Sequence, residues 1–595
     1  MDGAVVTRNA LLGVERSVTG RRWLDCSGDA RTAMTLAQRF ALPEVVGQVL
    51  AARDIGPDDA ASFLEPRLSA LLPDPSHLKD MDLAVARLLG AIEQGEKIAV
   101  FGDYDVDGAT SSALLLRFLR AVGSDARIYI PDRQKEGYGP NAPALGRLKA
   151  DGARVVVTVD CGTTAHEALS APEAAGLDIL VIDHHEAESG LPPVYAVVNP
   201  NRLDEDSVHG HMAAVGVTFL LVVALNRALR EAGWYDSARR REPNLMSWLD
   251  LVALGTVCDV VPLKGVNRAL VTQGLKIVAR RSNVGLAALA DVAGLDETPG
   301  AYHLGFVLGP RVNAGGRVGE AGLGAQLLAT DDPSEAREIA RKLHDFNHQR
   351  RDIEEKVLHE ALERAEVRDS GSLMLVAGEG WHPGVIGIVA SRLRERYDLP
   401  ACVVALADGK GLGSGRSIPG VDLGAAVIAA RQKGLLINGG GHSMAAGFTV
   451  AASGLDALDD FLGERLARQI GEQNLVPSLH LDGALAVSGV TPDLIEALER
   501  LAPFGSGNAE PRFAVAGARI GFAKVAGTDH VSCSFTDPGG ARLAGIAFRC
   551  LDGPLGKFLL GRGDLPVHVA GKLRMNRWQG RSSPQIIVDD AAPAG

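Results

Sequence analysis

The sequence predicts an α/β protein of several domains: a parallel-sheet domain, a long linking helix, a second α/β domain and an all-β C-terminal domain. Three observations predict it. Between Lys97 and Asn199, β-rich runs at Ile98–Phe101, Arg127–Ile130, Val155–Val159, Ile179–Ile182 and Ala196–Val198 alternate with Ala/Leu-rich helical stretches, the pattern of a parallel sheet with helical crossovers. From Pro333 to Glu366 a charged stretch carries apolar residues at Leu343, Phe346, Ile353, Val357 and Ala361, the narrow stripe of a helix that bridges two domains. After Pro477 the later sequence breaks into alternating runs, Arg512–Ile520, Val531–Phe535, Ala541–Phe548, Val567–Leu573 and Gln585–Val588, with Gly/Pro turns between them. That is the pattern of a small barrel or sandwich.

Taken in order, residues 1–85 read as an N-terminal segment of short amphipathic helices, broken at Pro66, Pro73 and Pro75. Residues 86–265 hold the parallel sheet and end beyond a buried helix at Ser247–Val257. Residues 266–368 form a helical linking region. Residues 369–471 form the second α/β unit, with strands at Leu373–Val376 and Cys402–Leu406 around a helix at Gly384–Tyr397. Residues 477–595 form the β domain.

Composition bounds the function. In 595 residues, 46% hydrophobic, no apolar run reaches the roughly 18–20 residues that span a bilayer. Met1 to Arg22 is polar and lacks the apolar core of a signal peptide. Six scattered cysteines, none in Cys-x-x-Cys spacing, argue against a zinc ribbon or disulfide framework and fit a reducing, cytoplasmic setting. The net charge of −12 speaks against nucleic acid as a ligand, since phosphate contacts come from Lys and Arg. Local basic clusters, and carboxylates that would be offset by bound cations, work the other way.

Three strand ends of the first unit carry acids. Ile98–Phe101 leads into Gly102-Asp103-Tyr104-Asp105-Val106-Asp107-Gly108, Val155–Val159 into Asp160-Cys161-Gly162, and Ile179–Ile182 into Asp183-His184-His185. Asp259 follows the buried helix in Gly255-Thr256-Val257-Cys258-Asp259. The carboxyl ends of parallel strands line a ligand crevice, so these groups converge on one edge. A single strand-end Asp is as readily a helix cap or turn former. Six carboxylates with two adjacent imidazoles are better explained as a ligand set for Mn²⁺ or Mg²⁺, where a carboxylate shared by two ions would give a water-activating, phosphoryl-neutralising centre. His185-Glu186 lacks the second histidine of a zincin, and no Walker loop or nucleophile elbow is present.

The motifs Gly102–Gly108, Val159–Gly162, Asp183–His185 and Gly255–Asp259 resemble, in order and spacing, those of the DHH phosphoesterase superfamily, and in detail its RecJ branch. The resemblance runs from about Arg39 to Asp589. It implies two Mn²⁺ or Mg²⁺ ions, one on Asp105, the other on Asp107, His184 and Asp259, with Asp160 bridging and His185 facing the substrate phosphate. Several branches of the family place a histidine ligand where Phe101 stands, which leaves Asp103 or water to complete the first shell.

The second unit contains Asn438-Gly439-Gly440-Gly441-His442, where glycines let backbone amides approach a phosphate and His442 adds a donor. It resembles the glycine-histidine motif of the DHH-associated domain. Arg133, Arg311, Arg317 and Arg416 are candidates for bidentate phosphate grips, the last on the Gly-rich stretch Gly413-Ser414-Gly415-Arg416, read as a flexible loop. The resemblance implies that Arg133, Ser414 and Arg416 bind a 5′-terminal phosphate and that Arg311 and Arg317 line the strand's path, while Trp381-His382-Pro383-Gly384 packs at the domain interface. Near the end, Gly571–Arg581 interleaves four basic residues, Arg577 among them, with Trp578, as an OB-fold does to hold single strands. The β domain resembles the OB domain of the RecJ branch, and its loop Leu501–Pro511 reads as structural.

The resemblance therefore implies a metal-dependent 5′-to-3′ exonuclease on single-stranded DNA that releases mononucleotides in recombination and repair. A monomer is expected, with a helicase and a single-strand-binding protein as candidate partners and no membrane. Three rival readings stand beside it, of which one, an inorganic pyrophosphatase, has no need of a strand-binding barrel. A phosphodiesterase acting on short oligonucleotides is usually shorter and lacks the OB region. An inactive replisome scaffold loses the carboxylates that Asp105, Asp107, Asp160 and Asp259 retain here.

Overall fold

The computed structural model describes residues 9–132, 136–137, 139–171, 174–236, 240–368, 371–472, 476–561, 563, 565–578 and 581–594, with the side chains of Trp578 and Arg581 excepted. The chain forms two compact units, Leu72–Leu475 and a second assembled from Met1–Leu71 with Val476–Gly595.

The larger unit begins with five parallel strands: β1 (Ile98–Gly102), β2 (Ala126–Tyr129), β3 (Val155–Val159), β4 (Asp178–Ile182) and β5 (Ala196–Val198). Their order in the sheet is β2-β1-β3-β4-β5. β1 and β3 are buried along their whole length, which is why they read as continuous apolar runs and not as alternation. The chain leaves β1 toward β2 on one side and returns to β3 on the other. The carboxyl ends of β1 and β3 therefore flank the switch point where open α/β sheets bind ligands.

Helices Val106–Ala121 and Ala214–Glu231 pack on the sheet, and Leu249–Cys258 packs against both of them; in this last helix every residue from Leu249 to Thr256 is buried. The bridging helix runs from Pro333 to Glu366, capped by Asp332, whose side chain accepts from the Ser334 and Glu335 amides. Leu343, Val357 and Ala361 of its predicted stripe are buried.

Beyond it lie β6 (Met374–Glu379), β7 (Ala401–Ala407), β8 (Lys410–Arg416), β9 (Asn438–His442) and β10 (Ala445–Ala451), in the order β9-β10-β8-β7-β6. One expectation is corrected here. Gly413–Arg416 is not a flexible loop but part of β8, hydrogen-bonded to strands on both sides. Its glycines serve packing: a Cβ on Gly413 would meet the Phe448 ring at 2.1 Å, and one on Gly415 would meet Leu423 at 2.7 Å.

In the smaller unit, strands Arg512–Ala526, His530–Thr536, Arg542–Ala547, Pro566–Trp578 and Arg581–Pro593 close into a five-stranded barrel, because Arg512–Ala526 pairs with both His530–Thr536 and Pro566–Trp578. The N-terminal segment is not a separate helical piece. Arg22–Asp25 pairs in parallel with Ser478–Leu481, and the buried Trp23 donates its Nε1 hydrogen to Asp590 at 2.9 Å. No local pattern reveals a partner 567 positions away. The Leu501–Pro511 loop is held from inside, where Asn508 donates to the carbonyls of Leu501 at 2.9 Å and Pro503 at 2.7 Å.

Candidate active site

The strand ends converge as their chemistry requires. His184 Nε2 lies 3.4 Å from Asp160 Oδ1, 3.6 Å from Asp259 Oδ2 and 4.0 Å from Asp107 Oδ2. Three groups have ligand atoms within 4.8 Å of one another: Asp107, His184 and Asp259; Asp103, Asp105 and Asp160; and Asp160, His184 and His185. Asp160 belongs to two of the three and connects the acids after β1 to the His184 cluster. It is 2% exposed and held at φ 62°, in the left-handed region that a non-glycine residue adopts only when its surroundings enforce it.

The local sequence explains how the acids come so close. A Cβ on Gly108 would fall 2.5 Å from the Asp103 carbonyl oxygen, and one on Gly255 would fall 2.9 Å from Asp107 Oδ1. Only glycine at these positions lets the first turn of helix Val106–Ala121 fold back on its loop and the Asp259 helix approach Asp107. Asp105 also does the ordinary work of an N-cap, accepting from the Gly108 amide at 3.0 Å.

Burial and mutual repulsion raise these carboxyls. Desolvation, then Asp105, pushes Asp107 up to about 7, although the Ala214 and Val215 amides oppose this. Desolvation, then Asp107 and Asp105, pushes Asp259 up to about 9, and Asp160 also sits well above the usual carboxylate range. Desolvation, then His185, lowers His184 to about 4, so it is a neutral imidazole fit to ligate. His185 differs. Burial opposes its charge, but the Asp183 carboxylate 2.7 Å from Nδ1 more than compensates and raises it to about 9.

The cluster fits divalent cations. His184 Nε2 and Asp259 Oδ2 are buried without a hydrogen-bond partner among the described residues, and they face each other. A six-coordinate ion with ligands about 2.1 Å away separates them by about 3–4 Å, the spacing found here. Such an ion also removes the repulsion that raises the carboxyls. Phe101 takes no part: it is fully buried in the core with its ring 5.3 Å from that of Tyr129. Asp103, 4% exposed, stands with Asp105 and Asp160 instead.

Several supporting residues were not legible in the sequence. Asp107 accepts from the Ala214 amide at 2.7 Å and the Val215 amide at 2.9 Å, at the positive N-terminus of a helix 107 positions away. Asn199 donates to the His185 carbonyl at 2.9 Å, and Asn201 donates to the His184 carbonyl.

The predicted phosphate grips are placed unevenly. Arg416, half-buried, donates to the Gly415 carbonyl at 2.8 Å and to Ser414 Oγ at 3.3 Å, with no carboxylate partner among the described residues. Burial lowers its pKa, so an anion there would be stabilising. A Cβ on Gly387 would lie 2.9 Å from Ser414 Oγ and 3.1 Å from Arg416 Nη2, so this glycine opens the space around them.

Arg311 and Arg317 lie on the helix Gly309–Val318. Arg311 donates to the Val307 carbonyl at 2.6 Å, and Arg317 to the Gly384 carbonyl at 2.9 Å in the segment that follows Trp381. Trp381 itself packs against the bridging helix, donating to Glu360 at 2.7 Å. On β9, His442 and Gly441 are exposed and Gly440 is partly so. Arg577 is exposed on the barrel hairpin. Arg133 lies outside the described residues, as does the side chain of Trp578.

A parallel sheet with buried carboxylates and imidazole at its switch point, joined to a second α/β domain with an acid-free arginine, defines a phosphoesterase of the DHH class. Family models match in the same sense: the DHH family N-terminal domain over residues 97–256, the DHHA1 domain over 369–471 and the RecJ OB domain over 481–590. The chain belongs to the RecJ family. It is 36% identical over 565 residues to the single-stranded-DNA-specific exonuclease RecJ of Salmonella typhimurium, covering 93% of this chain and 96% of that protein. The fold matches RecJ of Thermus thermophilus in complex with Mn²⁺, with a TM-score of 0.79 and 32% identity over 96% of this chain and 79% of that one. It also matches the complex with Mg²⁺, with a TM-score of 0.75 and 30% identity over 96% and 78% of the two chains. No helix among the described residues is long and apolar enough to cross a membrane.

Proposed function

We propose that the chain is a metal-dependent exonuclease that degrades single-stranded DNA from its 5′ end and releases 5′-mononucleotides. The observation that carries the proposal is the buried cluster in which His184 Nε2 stands 3.4–4.0 Å from carboxylate oxygens of Asp160, Asp259 and Asp107. Asp103, Asp105 and Asp160 would hold one ion, and Asp107, His184, Asp259 and Asp160 would hold the other. Bound Mn²⁺ or Mg²⁺ supplies a Lewis acid for the phosphoryl oxygen and acidifies a water into a nucleophile.

The remaining work belongs to side chains. Asp183 fixes the His185 ring through Nδ1 at 2.7 Å, so that the other side of the ring faces the phosphate under attack. The His185 side chain is 43% exposed against 13% for His184, which suits the first to substrate and the second to metal. Ser414 and Arg416, with Arg133 and the amides around Gly440, Gly441 and His442, hold the terminal phosphate. Arg311 and Arg317 guide the following nucleotides, and the hairpin bearing Arg577 and Trp578 holds the strand farther along. Direction follows from this arrangement, because a terminal phosphate carries more charge than an internal diester.

The enzyme acts as a monomer in the cytoplasm. It depends on a helicase to open duplex DNA and meets strands coated by a single-strand-binding protein. The test uses matched single-stranded and blunt duplex oligonucleotides, labelled at each end in turn, with Mn²⁺ and with Mg²⁺. Release of the 5′ label first, from the single strand, is expected. Release of the 3′ label first, or equal rates on duplex, would refute the proposal.

A further inference from the structure

Tyr302 and Phe306 stand out from the surface beside the metal-binding cluster. Tyr302 is 65% exposed and Phe306 is 72% exposed, while Leu304 and Leu308 between and beyond them are fully buried. Their rings are stacked, with centroids 5.2 Å apart and planes inclined by 22°. Phe306 lies on the π-helical turn His303–Leu308 and Tyr302 at its N-cap. Such turns are rare and recur at functional positions.

This turn is fastened to the end of the helix that delivers Asp259. Cys258 Sγ donates to the Leu304 carbonyl at 3.5 Å. A Cβ on Gly305 would be in ordinary contact with Val257 at 3.4 Å, while one on Gly309 would meet Cys258 Sγ at 2.4 Å, so the two segments touch and position 309 needs glycine. Val260, directly after Asp259, is itself 68% exposed and held at φ 61°. On the other flank Arg311 has no carboxylate partner among the described residues, and burial followed by the nearby Arg351 lowers its pKa. Two exposed, stacked rings thus lie on the turn that packs against the end of the Asp259 helix and runs on into the helix bearing Arg311.

Two stacked aromatic rings offer flat apolar faces on which a nucleobase can stack. Arg311, without a carboxylate partner among the described residues on the helix that follows, suits an occupant that is anionic along its backbone. We propose that Tyr302 and Phe306 form a stacking platform for the nucleobases of the single strand as its backbone passes the Asp259 side of the centre. This rests on the single-stranded-DNA reading above and adds a binding site to it. A folded protein partner fits poorly, because the patch is a few side chains wide and a stable protein interface takes about 800 Å² from each partner. Stacking is indifferent to base identity, so the platform would grip the strand without selecting sequence.

The test is the double variant Tyr302→Leu with Phe306→Leu, which keeps apolar bulk and removes both flat faces. Rates would be compared on a 5′-phosphorylated strand and on the same strand with abasic sites in its first several nucleotides. The wild type should favour the natural strand, and the variant should lose about 10- to 100-fold in kcat/KM on it, bringing the ratio toward one. Mn²⁺ binding followed by electron paramagnetic resonance should not change, which separates lost stacking from a damaged centre. The platform is overturned if the ratio is the same in variant and wild type, or if the loss falls equally on natural and abasic strands. A wild-type enzyme that degrades neither strand would instead overturn the single-strand reading itself.

Discussion

Replacing Arg416 with alanine tests how the strand end is recognised. The guanidinium is half-buried on β8, anchored to the Gly415 carbonyl at 2.8 Å and Ser414 Oγ at 3.3 Å, and it lacks an acid partner among the described residues. A terminal phosphate carries roughly 1.5–2 more negative charges than a 5′-hydroxyl end near neutral pH. A unit charge pair at about 4 Å is worth about 4 kcal/mol at an effective dielectric of about 20, an upper bound before desolvation is subtracted. Net values for hydrogen bonds to charged groups are about 1.5–3 kcal/mol, which corresponds to about 10- to 150-fold in rate. The assay is kcat/KM on 5′-phosphorylated and 5′-hydroxyl strands, for wild type and variant. Arg416→Ala should cost about that factor on the phosphorylated strand and much less on the hydroxyl strand, narrowing the gap between them. Arg416→Lys keeps the charge but not the fork, so it should fall between. An unchanged ratio of the two rates would refute the assignment.

Three further outcomes are expected. Asp160→Ala should abolish cleavage and reduce Mn²⁺ binding in calorimetric titration while leaving single-stranded DNA binding largely intact; robust nuclease activity would exclude a shared carboxylate. Asp250 is 1% exposed, and burial raises it from 3.8 to about 6, so the folded state holds its proton more tightly than the unfolded state and stability falls as pH rises through that window. Asp250→Asn should therefore leave stability near pH 4 little changed and add up to about 3 kcal/mol at pH 7–8, measured by urea unfolding at both pH values; a gain independent of pH would contradict the cause. Arg577→Ala with Trp578→Ala should weaken binding of long strands, with stacking worth about 1–3 kcal/mol per base, and leave short substrates cut at nearly the normal rate; unchanged affinity for long strands would remove the hairpin from the DNA path.

The sequence by itself determined the parts whose signals are local. β1 and β3 declare themselves because a strand buried on both faces must be apolar throughout. The acids and histidines declare themselves because they follow strand ends in recognisable order. The bridging helix Pro333–Glu366 declares itself through its apolar stripe. Tertiary structure alone decided the rest, because contacts far apart in the chain leave no periodicity to read. Trp23 finds Asp590, and Asp107 finds the amides of Ala214 and Val215, each across a separation that no window of sequence spans. Gly413-Ser414-Gly415-Arg416 shows the same limit from the other side. A stretch so rich in glycine reads as a loop, and only the Phe448 ring packed against Gly413 shows that the glycines make room inside a sheet. It is likewise the fold that turns Leu304 and Leu308 inward and leaves the stacked rings of Tyr302 and Phe306 exposed.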